Sequence, residues 1–345
     1  MNSISRRSFV AGAAGSALLA LSACGASNSG SSDDSGEKTY KVGVLQLTQH
    51  AALDAANEGF VEALDESGIK YTIDQQNANN DQSACATIAS KLVGDGDDLI
   101  YVIATPAAQA VAAATSDIPI VGSAITDYAA SGLVADNDKP GGNLTGASDM
   151  NPVDDQIAML QKVLPNAKHV GMLYCTAESN SQLQVEMAEA ACDKAGLTHD
   201  RYTVSSSNEV QSVVESMVGK VDAGYTPTDN TIMTAELSIY ETFTEAGVMH
   251  FTGADSFALN GAFVGYGVDY VQLGEATADM VAEILCAGKS AAEMPYQTFD
   301  NGIVTINTET AAALGFEGDK LGALKEAVKP YCTEIVEVTT AENFS

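Results

Sequence analysis

Short apolar runs alternate with longer amphipathic stretches through most of the chain. The runs are rich in β-branched residues, which is typical of strands buried on both faces of a parallel sheet. The central run, from Leu99 to Ala104, stops abruptly at Thr105 and Pro106. At such a junction the threonine predicts a helix N-cap and the proline the first helical residue. A similar junction follows Tyr225. The pattern therefore predicts two similar α/β lobes.

The order of the elements supports this division. The first half is predicted to hold strands at 41–47, 71–76, 99–104 and 118–122, with helices at 53–66, 82–93 and 107–114. The second half repeats the pattern with strands at 169–174, 201–204, 221–225, 248–252 and 264–267, and helices at 152–163, 180–195, 209–218 and 232–246. Repeated βαβ units form parallel sheets with helices on both faces. We therefore expect an α/β fold whose ligand binds beyond the carboxyl ends of the strands.

The N-terminus has the pattern of an export signal. An arginine pair at positions 6 and 7 precedes a small and apolar run, Val10 to Leu21, that is too short to span a bilayer permanently. The pair leaves the twin-arginine and general export routes both open. The run ends in Leu-Ser-Ala-Cys24-Gly, which resembles a bacterial lipobox. We expect residues 1–23 to be a lipoprotein signal peptide, Cys24 to be lipidated, and 24–39 to be the anchor and a flexible tether.

Charge and cysteine content exclude several kinds of partner. The chain has 46 acidic and 16 basic residues, which gives a formal net charge of −30. Nucleic acid and anionic lipid surfaces are poor partners for so acidic a protein on electrostatic grounds. Five cysteines follow Cys24, and none shows C-x-x-C or metal-ligand spacing. We expect no metal site, and a disulfide between Cys286 and Cys332 stays open as one pairing.

No residues with catalytic spacing emerge from the sequence. Three of the four histidines, His169, His199 and His250, fall at the starts of predicted strands, where we expect them to be solvated. His50 instead lies in the first strand-to-helix loop, at the edge of the sheet where ligands bind. A hydrolase or isomerase would need a base and a nucleophile within hydrogen-bond reach, and the scattered histidines and cysteines predict no such pair. We therefore expect neither catalysis nor a cofactor.

Polar side chains, nearly all of them small hydroxyls, amides and carboxylates, lie at or just beyond the carboxyl ends of the predicted strands. They include Gln46, His50, Thr105, Thr126, Asp127, Asn180, Ser181, Thr228, Asp229 and Asp255. Beyond the signal the sole arginine, Arg201, begins a strand at the opposite edge, so it is badly placed to clamp a carboxylate.

Backbone N–H groups at the helix starts near Thr105 and Ser179 would then hold a carboxylate, while Asp127, Asp229 and Asp255 would neutralise an ammonium. Donors at one end of a ligand site and carboxylates at the other indicate a zwitterion. The alternative for each residue taken singly is that it only caps a helix.

The chain also contains HAALDAANEGF (50–60), ATPAAQAVAAAT (104–115), KPGGNLTGASDM (139–150) and VGKVDAGYTPTDNT (218–231). With other motifs between residue 41 and about 316, these segments resemble the ABC-transporter substrate-binding lipoproteins of the tryptophan/tyrosine-binding type. The resemblance implies a type I periplasmic-binding-protein fold, in which two Rossmann-like lobes joined by a multi-strand hinge close over one ligand. It marks the ten polar residues above as cleft residues. Tyr128 stands where relatives commonly have proline, so we expect it to stack on an aromatic ligand or to narrow the pocket.

The resemblance also implies domains and partners. The N-terminal lobe would be 40–148 with a return helix at about 270–297, the C-terminal lobe 149–269 with about 298–318, and the C-terminal helix and tail 319–345. The expected protein is extracytoplasmic and lipid-anchored to the cell membrane through Cys24, and it passes an aromatic amino acid (Trp, Tyr or Phe) to an ABC permease and its ATPase. Two alternatives remain: a ligand sensor that signals occupancy to a membrane partner, or a binding protein for another small solute such as a nucleoside or a sugar.

Overall fold

The computed structural model describes residues 38–300 and 302–340; the predicted signal peptide, Cys24 and nearly all of the tether lie outside this part of the chain. The first sheet is built from β1 Tyr40–Gln46, β2 Tyr71–Asn77, β3 Leu99–Ile103, β4 Ile120–Ser123 and β5 Leu144–Gly146. Its strands are all parallel, in the order β2-β1-β3-β4-β5. The connecting helices are α1 Ala51–Glu66, α2 Gln82–Asp95 and α3 Thr105–Ala114.

The second sheet has seven strands. They are β6 His169–Cys175, β7 Thr198–Val204, β8 Ala223–Thr226, β9 Met249–Thr252, β10 Val264–Gly267, β11 Ile303–Asn307 and β12 Glu334–Val338. Their order is β12-β11-β10-β9-β8-β6-β7. The helices of this half are α4 Val153–Val163, α5 Ser179–Ala195, α6 Val210–Met217, α7 Asn230–Glu245, α8 Ser256–Leu259, α9 Tyr270–Leu285, α10 Thr308–Ala313 and α11 Asp319–Val328.

The predicted α/β fold with two lobes is confirmed, but the second sheet is not wholly parallel. β11 runs antiparallel to β10, whereas the other neighbouring strands of the sheet are parallel. β10 ends at the edge of the sheet that faces the first lobe. After α9 the chain returns across the same edge, so β11 must start where β10 stops. The sequence pattern missed β5, β11 and β12, of which β5 is only three residues long.

The connection between the lobes is built from paired chain segments. Gln297 forms a parallel bridge with Ala147, and its N–H donates to Gly146 O over 2.8 Å. Beside it, Asn151 Nδ2 donates to Gly253 O over 2.7 Å. These contacts lie near the points where the chain crosses between the lobes, so the lobes can rotate about short segments while each sheet stays intact.

The start of α3 differs from the prediction. Ala104, not Thr105, is the N-cap, and it has φ 86° and ψ 151°, a conformation that residues other than glycine rarely adopt. Only this residue separates β3 from α3, so the chain must turn sharply there. Thr105 is already helical, and its buried hydroxyl has no partner among the described residues.

His250 is buried rather than solvated, contrary to the expectation. His250 is the second residue of β9, and its imidazole stacks on Phe243 with ring centroids 4.3 Å apart. Its Nδ1 lies 3.0 Å from Glu236 Oε1 and its Nε2 2.9 Å from Thr226 Oγ1. Helix α7 supplies Phe243 and Glu236, and the neighbouring strand β8 supplies Thr226. The position of His250 near the start of a strand could not predict these partners.

Cys85, Cys175 and Cys192 are buried in the lobes. The described residues contain no disulfide: Cys286 is the C-cap residue of the helix Tyr270–Leu285, and Cys332 packs against the core of the second lobe. None of the helices in residues 38–300 and 302–340 combines the length and the apolar character needed to cross a bilayer.

Two glycines let α1 and α9 cross in direct backbone contact. A Cβ at Gly59 would overlap Val271 O, and one at Gly274 would overlap Ala56 O and Phe60 N. The crossing attaches α9 to the core of the first lobe, although the strand before it belongs to the second. Small residues at this point are therefore a packing requirement.

We expect Gly274→Ala to destabilise the protein by about 1–3 kcal/mol, because its methyl group would force the two helices apart. Gly322→Ala in α11 is the matched control, since a methyl group at that position would meet no atom within 4 Å. That change should stabilise the fold by up to about 1 kcal/mol through helix propensity. Urea unfolding measures both, and equal effects of the two changes would contradict the close crossing.

Candidate ligand-binding site between the lobes

The carboxyl ends of the strands in the two lobes face each other across a cavity. Its volume is about 20 Å³, which leaves room for about one water molecule while the side chains stand as they do here. One wall is apolar and includes Leu53, Met233 and Phe257. No lysine or arginine of the described residues lines the cavity. The lining thus combines an apolar surface with polar side chains and lacks a cationic group.

Five of the ten predicted residues line the cavity: His50, Thr126, Asn180, Thr228 and Asp229. The first two come from the first lobe and the other three from the second, so residues far apart in sequence meet at one place. His50 is buried, and burial lowers the pKa of its imidazole to about 4, although a hydrogen bond to Asn230 opposes the shift. The imidazole is therefore neutral at physiological pH.

The other five predicted residues lie around the cavity without lining it. Gln46 donates to Thr48 O over 2.7 Å and to Asp54 Oδ1 over 2.6 Å, which orders the loop between β1 and α1. Thr105 is buried at the start of α3, and the Ser181 hydroxyl lies 3.4 Å from Asn180 Nδ2.

The structure does not bring the two remaining carboxylates, Asp127 and Asp255, to the cavity wall. Asp127 Oδ1 accepts from Ala130 N over 2.8 Å and from Asn137 Nδ2 over 3.1 Å, because its side chain turns back into its own loop. Asp255 lies against the backbone of Gly267 in the hinge. Burial, with a smaller contribution from Asp269, raises the pKa of Asp255 to about 6.

Asp229 lines the cavity, but its oxygens already have backbone donors. Oδ1 accepts from Ile232 N over 2.8 Å as the N-cap of α7, and Oδ2 accepts from Cys175 N over 2.7 Å. Burial and the nearby Glu178 raise the pKa of Asp229, and both backbone N–H groups oppose this shift. The geometry gives Asp229 the capping role that the sequence left as an alternative.

Asp149 is a cavity residue that the sequence analysis missed. Its Oδ2 accepts from the Tyr270 hydroxyl over 3.2 Å, whereas its buried Oδ1 has no partner among the described residues. Burial raises the pKa of Asp149 to about 6, against the opposing hydrogen bond from Tyr270. A buried carboxylate oxygen without a partner is a position that a cationic group would satisfy.

Tyr128 does not line the cavity, contrary to the expectation that it would contact the ligand. It is buried behind β4, and its hydroxyl lies 2.9 Å from Gly122 O and 3.0 Å from Ala147 O. Its ring stacks on Tyr296 with centroids 5.2 Å apart. Tyr128 thus fastens the end of the first lobe to the hinge.

Side chains also meet directly across the cleft. The hydrogen bonds join His50 Nε2 to Asn230 Oδ1 (3.0 Å), Asn80 Nδ2 to Thr231 Oγ1 (3.1 Å), Gln82 Nε2 to Ala177 O (3.0 Å) and Gln109 Nε2 to Ser179 Oγ (3.2 Å). The first partner of each pair is in the first lobe and the second is in the other. Such contacts require closed lobes.

The sequence model of the ABC transporter substrate binding protein family matches residues 41–327. The chain belongs to this family. Its members are extracytoplasmic proteins that bind solutes, so the chain is a substrate-binding protein of an ABC transporter and not an enzyme.

The chain is 38% identical to a tyrosine-binding protein of Clostridioides difficile over 296 residues, which are 85% of either chain. Among solved structures, a Streptococcus pneumoniae ABC domain in complex with L-Trp is 37% identical, with a TM-score of 0.80, and the match covers 86% of this chain and all of that one. A conserved domain protein of Vibrio cholerae is 33% identical, with a TM-score of 0.81, and this match also covers 86% of this chain and all of that one.

A further comparison bears on lobe closure. The ligand-free, open structure of a substrate-binding protein from Clostridium difficile is also 37% identical, and the match covers 88% of this chain and all of that one. Its TM-score is only 0.66, against 0.80 for the L-Trp complex at the same identity. This difference agrees with the hydrogen bonds across the cleft, and both indicate that the described structure is the closed form.

Proposed function

We propose that the protein captures an aromatic amino acid and delivers it to an ABC permease and its ATPase from a lipid anchor on the outer face of the cell membrane. The main support for this class of ligand is Asp149, whose buried Oδ1 has no partner among the described residues. Asp149 lines the same cavity as the apolar residues Leu53, Met233 and Phe257. A carboxylate for an ammonium beside a surface for an apolar side chain suits an amino acid. The tyrosine-binding and L-Trp-bound relatives support this choice.

The ligand ammonium would lie at Asp149, where Asn180 Oδ1, also buried and without a partner among the described residues, offers a second acceptor. The ligand carboxylate would take backbone N–H groups. The first turns of α1 and α5 both contribute residues to the cavity, and neither receives a hydrogen bond from its N-cap side chain. Such helix starts attract anions through free N–H groups and the helix dipole.

The first experiment is a thermal-shift screen of the purified chain against the twenty amino acids, nucleosides and simple sugars. A ligand at 100 times its dissociation constant adds about 2.7 kcal/mol to stability, which is easily seen. We expect shifts with aromatic amino acids. Shifts with nucleosides or sugars alone would reject the amino-acid proposal while keeping a binding protein, and the absence of any shift would point to a ligand outside the panel or to a sensor.

We expect Asp149→Asn to weaken binding of the aromatic amino acid about tenfold or more, because the ammonium loses the charge of the Asp149 carboxylate. Asp127→Asn is the matched control, since that carboxylate lies outside the cavity and should leave the affinity unchanged. Isothermal titration calorimetry measures both. Equal affinities of wild type and Asp149→Asn would contradict the assignment.

The same pair of proteins tests the charge of Asp149 through pH. Burial raises the pKa of Asp149 to about 6, so the carboxyl group takes up a proton as the pH falls below that value. A neutral acid attracts an ammonium less strongly, and the affinity of wild type should therefore decline as the pH is lowered from about 7.5 to 5. Asp149→Asn should bind with a flatter pH profile.

Lipid anchoring rests on the sequence around Cys24, which lies outside the described residues. We expect Cys24→Ser to abolish incorporation of labelled palmitate in cells and to release the protein from the membrane fraction. Cys85→Ser, which alters a buried thiol of the first lobe, should leave labelling intact. Palmitate incorporation by Cys24→Ser at the wild-type level would overturn the anchor.

A further inference from the structure

His50 has one satisfied and one unsatisfied ring nitrogen. The residue precedes α1, and its ring is buried in the cavity wall. Nε2 lies 3.0 Å from Asn230 Oδ1 in the opposite lobe, whereas Nδ1 has no partner among the described residues. A neutral imidazole has one N–H donor and one acceptor nitrogen, so the position of the hydrogen decides what Nδ1 can bind.

Glu178 fixes that hydrogen through Asn230. One carboxylate oxygen of Glu178 lies 2.7 Å from Asn230 Nδ2 and 3.1 Å from Asn230 N. The other oxygen accepts from the N–H and the hydroxyl of Thr231, each over 2.8 Å. All four contacts bring donors to the carboxylate. A flipped Asn230 amide would place its oxygen against Glu178, which is repulsive, so the amide oxygen must face His50.

The tautomer of His50 follows from this orientation. An amide oxygen can only accept, so His50 Nε2 carries the hydrogen and donates it across the cleft. Nδ1 then carries a lone pair, and this buried acceptor has no donor among the described residues. A buried acceptor that stays empty when the lobes close costs about as much as a lost hydrogen bond, which a ligand with a suitable donor avoids.

We propose that His50 determines specificity by selecting ligands whose side chain carries an N–H or O–H group. This inference rests on the proposed function, which assigns the ligand ammonium to Asp149 and so leaves the donor for His50 to come from the side chain. The phenol of tyrosine and the indole of tryptophan have such a donor, and the ring of phenylalanine has none. The preferred substrates are therefore tyrosine and tryptophan rather than aromatic amino acids in general.

The same contact couples ligand recognition to lobe closure. A donor at Nδ1 stabilises the tautomer with hydrogen on Nε2, and this is the tautomer that bonds to Asn230 in the other lobe. A ligand without a donor favours neither tautomer of His50 in the open form, where water can reach the ring. The bond between His50 and Asn230 then gains nothing from the ligand, and closure is weaker.

The test begins with the wild-type chain and matched ligands in isothermal titration calorimetry. L-Tyrosine and L-tryptophan should each bind about tenfold or more tightly than L-phenylalanine, because one buried acceptor is paired only in the first two complexes. O-Methyl-L-tyrosine and 1-methyl-L-tryptophan keep the ring systems but lose the donor, and they should fall to the affinity of phenylalanine or below. This comparison needs no variant, so it holds even if changes at His50 disturb folding.

The second part compares tyrosine and phenylalanine in His50→Phe. That change removes both ring nitrogens but keeps an aromatic ring, so the affinity ratio of the two ligands should collapse towards one. Equal loss of affinity for both ligands would overturn the proposal, because it would place the ammonium or the carboxylate at His50. Equal binding of tyrosine and phenylalanine to wild type would also overturn it while leaving the proposed function standing. If wild type binds none of tyrosine, tryptophan and phenylalanine, both proposals fall.

Discussion

Two buried carboxylates at the start of α7 set the geometry of the second lobe's side of the cleft. Asp229 and Glu178 accept backbone N–H groups from the first turn of that helix, and Asp229 also takes the N–H of Cys175 at the end of β6. Taking two acids out of water is costly unless donors compensate, and here each oxygen has at least one. This compensation holds Asn230 in one orientation, on which the contact to His50 and the closed arrangement of the lobes depend.

In the closed form, polar atoms without hydrogen-bond partners determine which ligands the cavity can bind. The buried side-chain atoms that lack partners at the cavity, on His50, Asp149 and Asn180, are all acceptors once the imidazole tautomer is fixed. These three acceptors favour a cationic group and additional hydrogen-bond donors on the ligand. The shape and apolar wall limit the size of the ligand, while the acceptors define its chemistry.

The sequence predicted the fold well because β-branched runs and helix starts are local signals. It also predicted that His50, Thr126 and Asn180 would meet, since strand ends in parallel sheets share one edge. It could not tell which acids face the ligand. Asp229 and Asp127 each accept from an N–H three residues ahead, which is a capping pattern, whereas Asp149 follows a three-residue strand that no periodicity reveals. Tyr128 and His250 were misplaced because their surroundings come from distant segments.

The glycine crossing of α1 and α9 links the two ends of the binding site mechanically. α1 carries His50 at its start, and α9 begins with Tyr270, the hydroxyl of which holds Asp149. Gly59 lies roughly 14 Å along α1 from His50, yet any shift at the crossing must move one helix start relative to the other. Selection on residues that never touch a ligand could thus retune which amino acid the protein prefers, so relatives that share the contact residues can diverge in substrate.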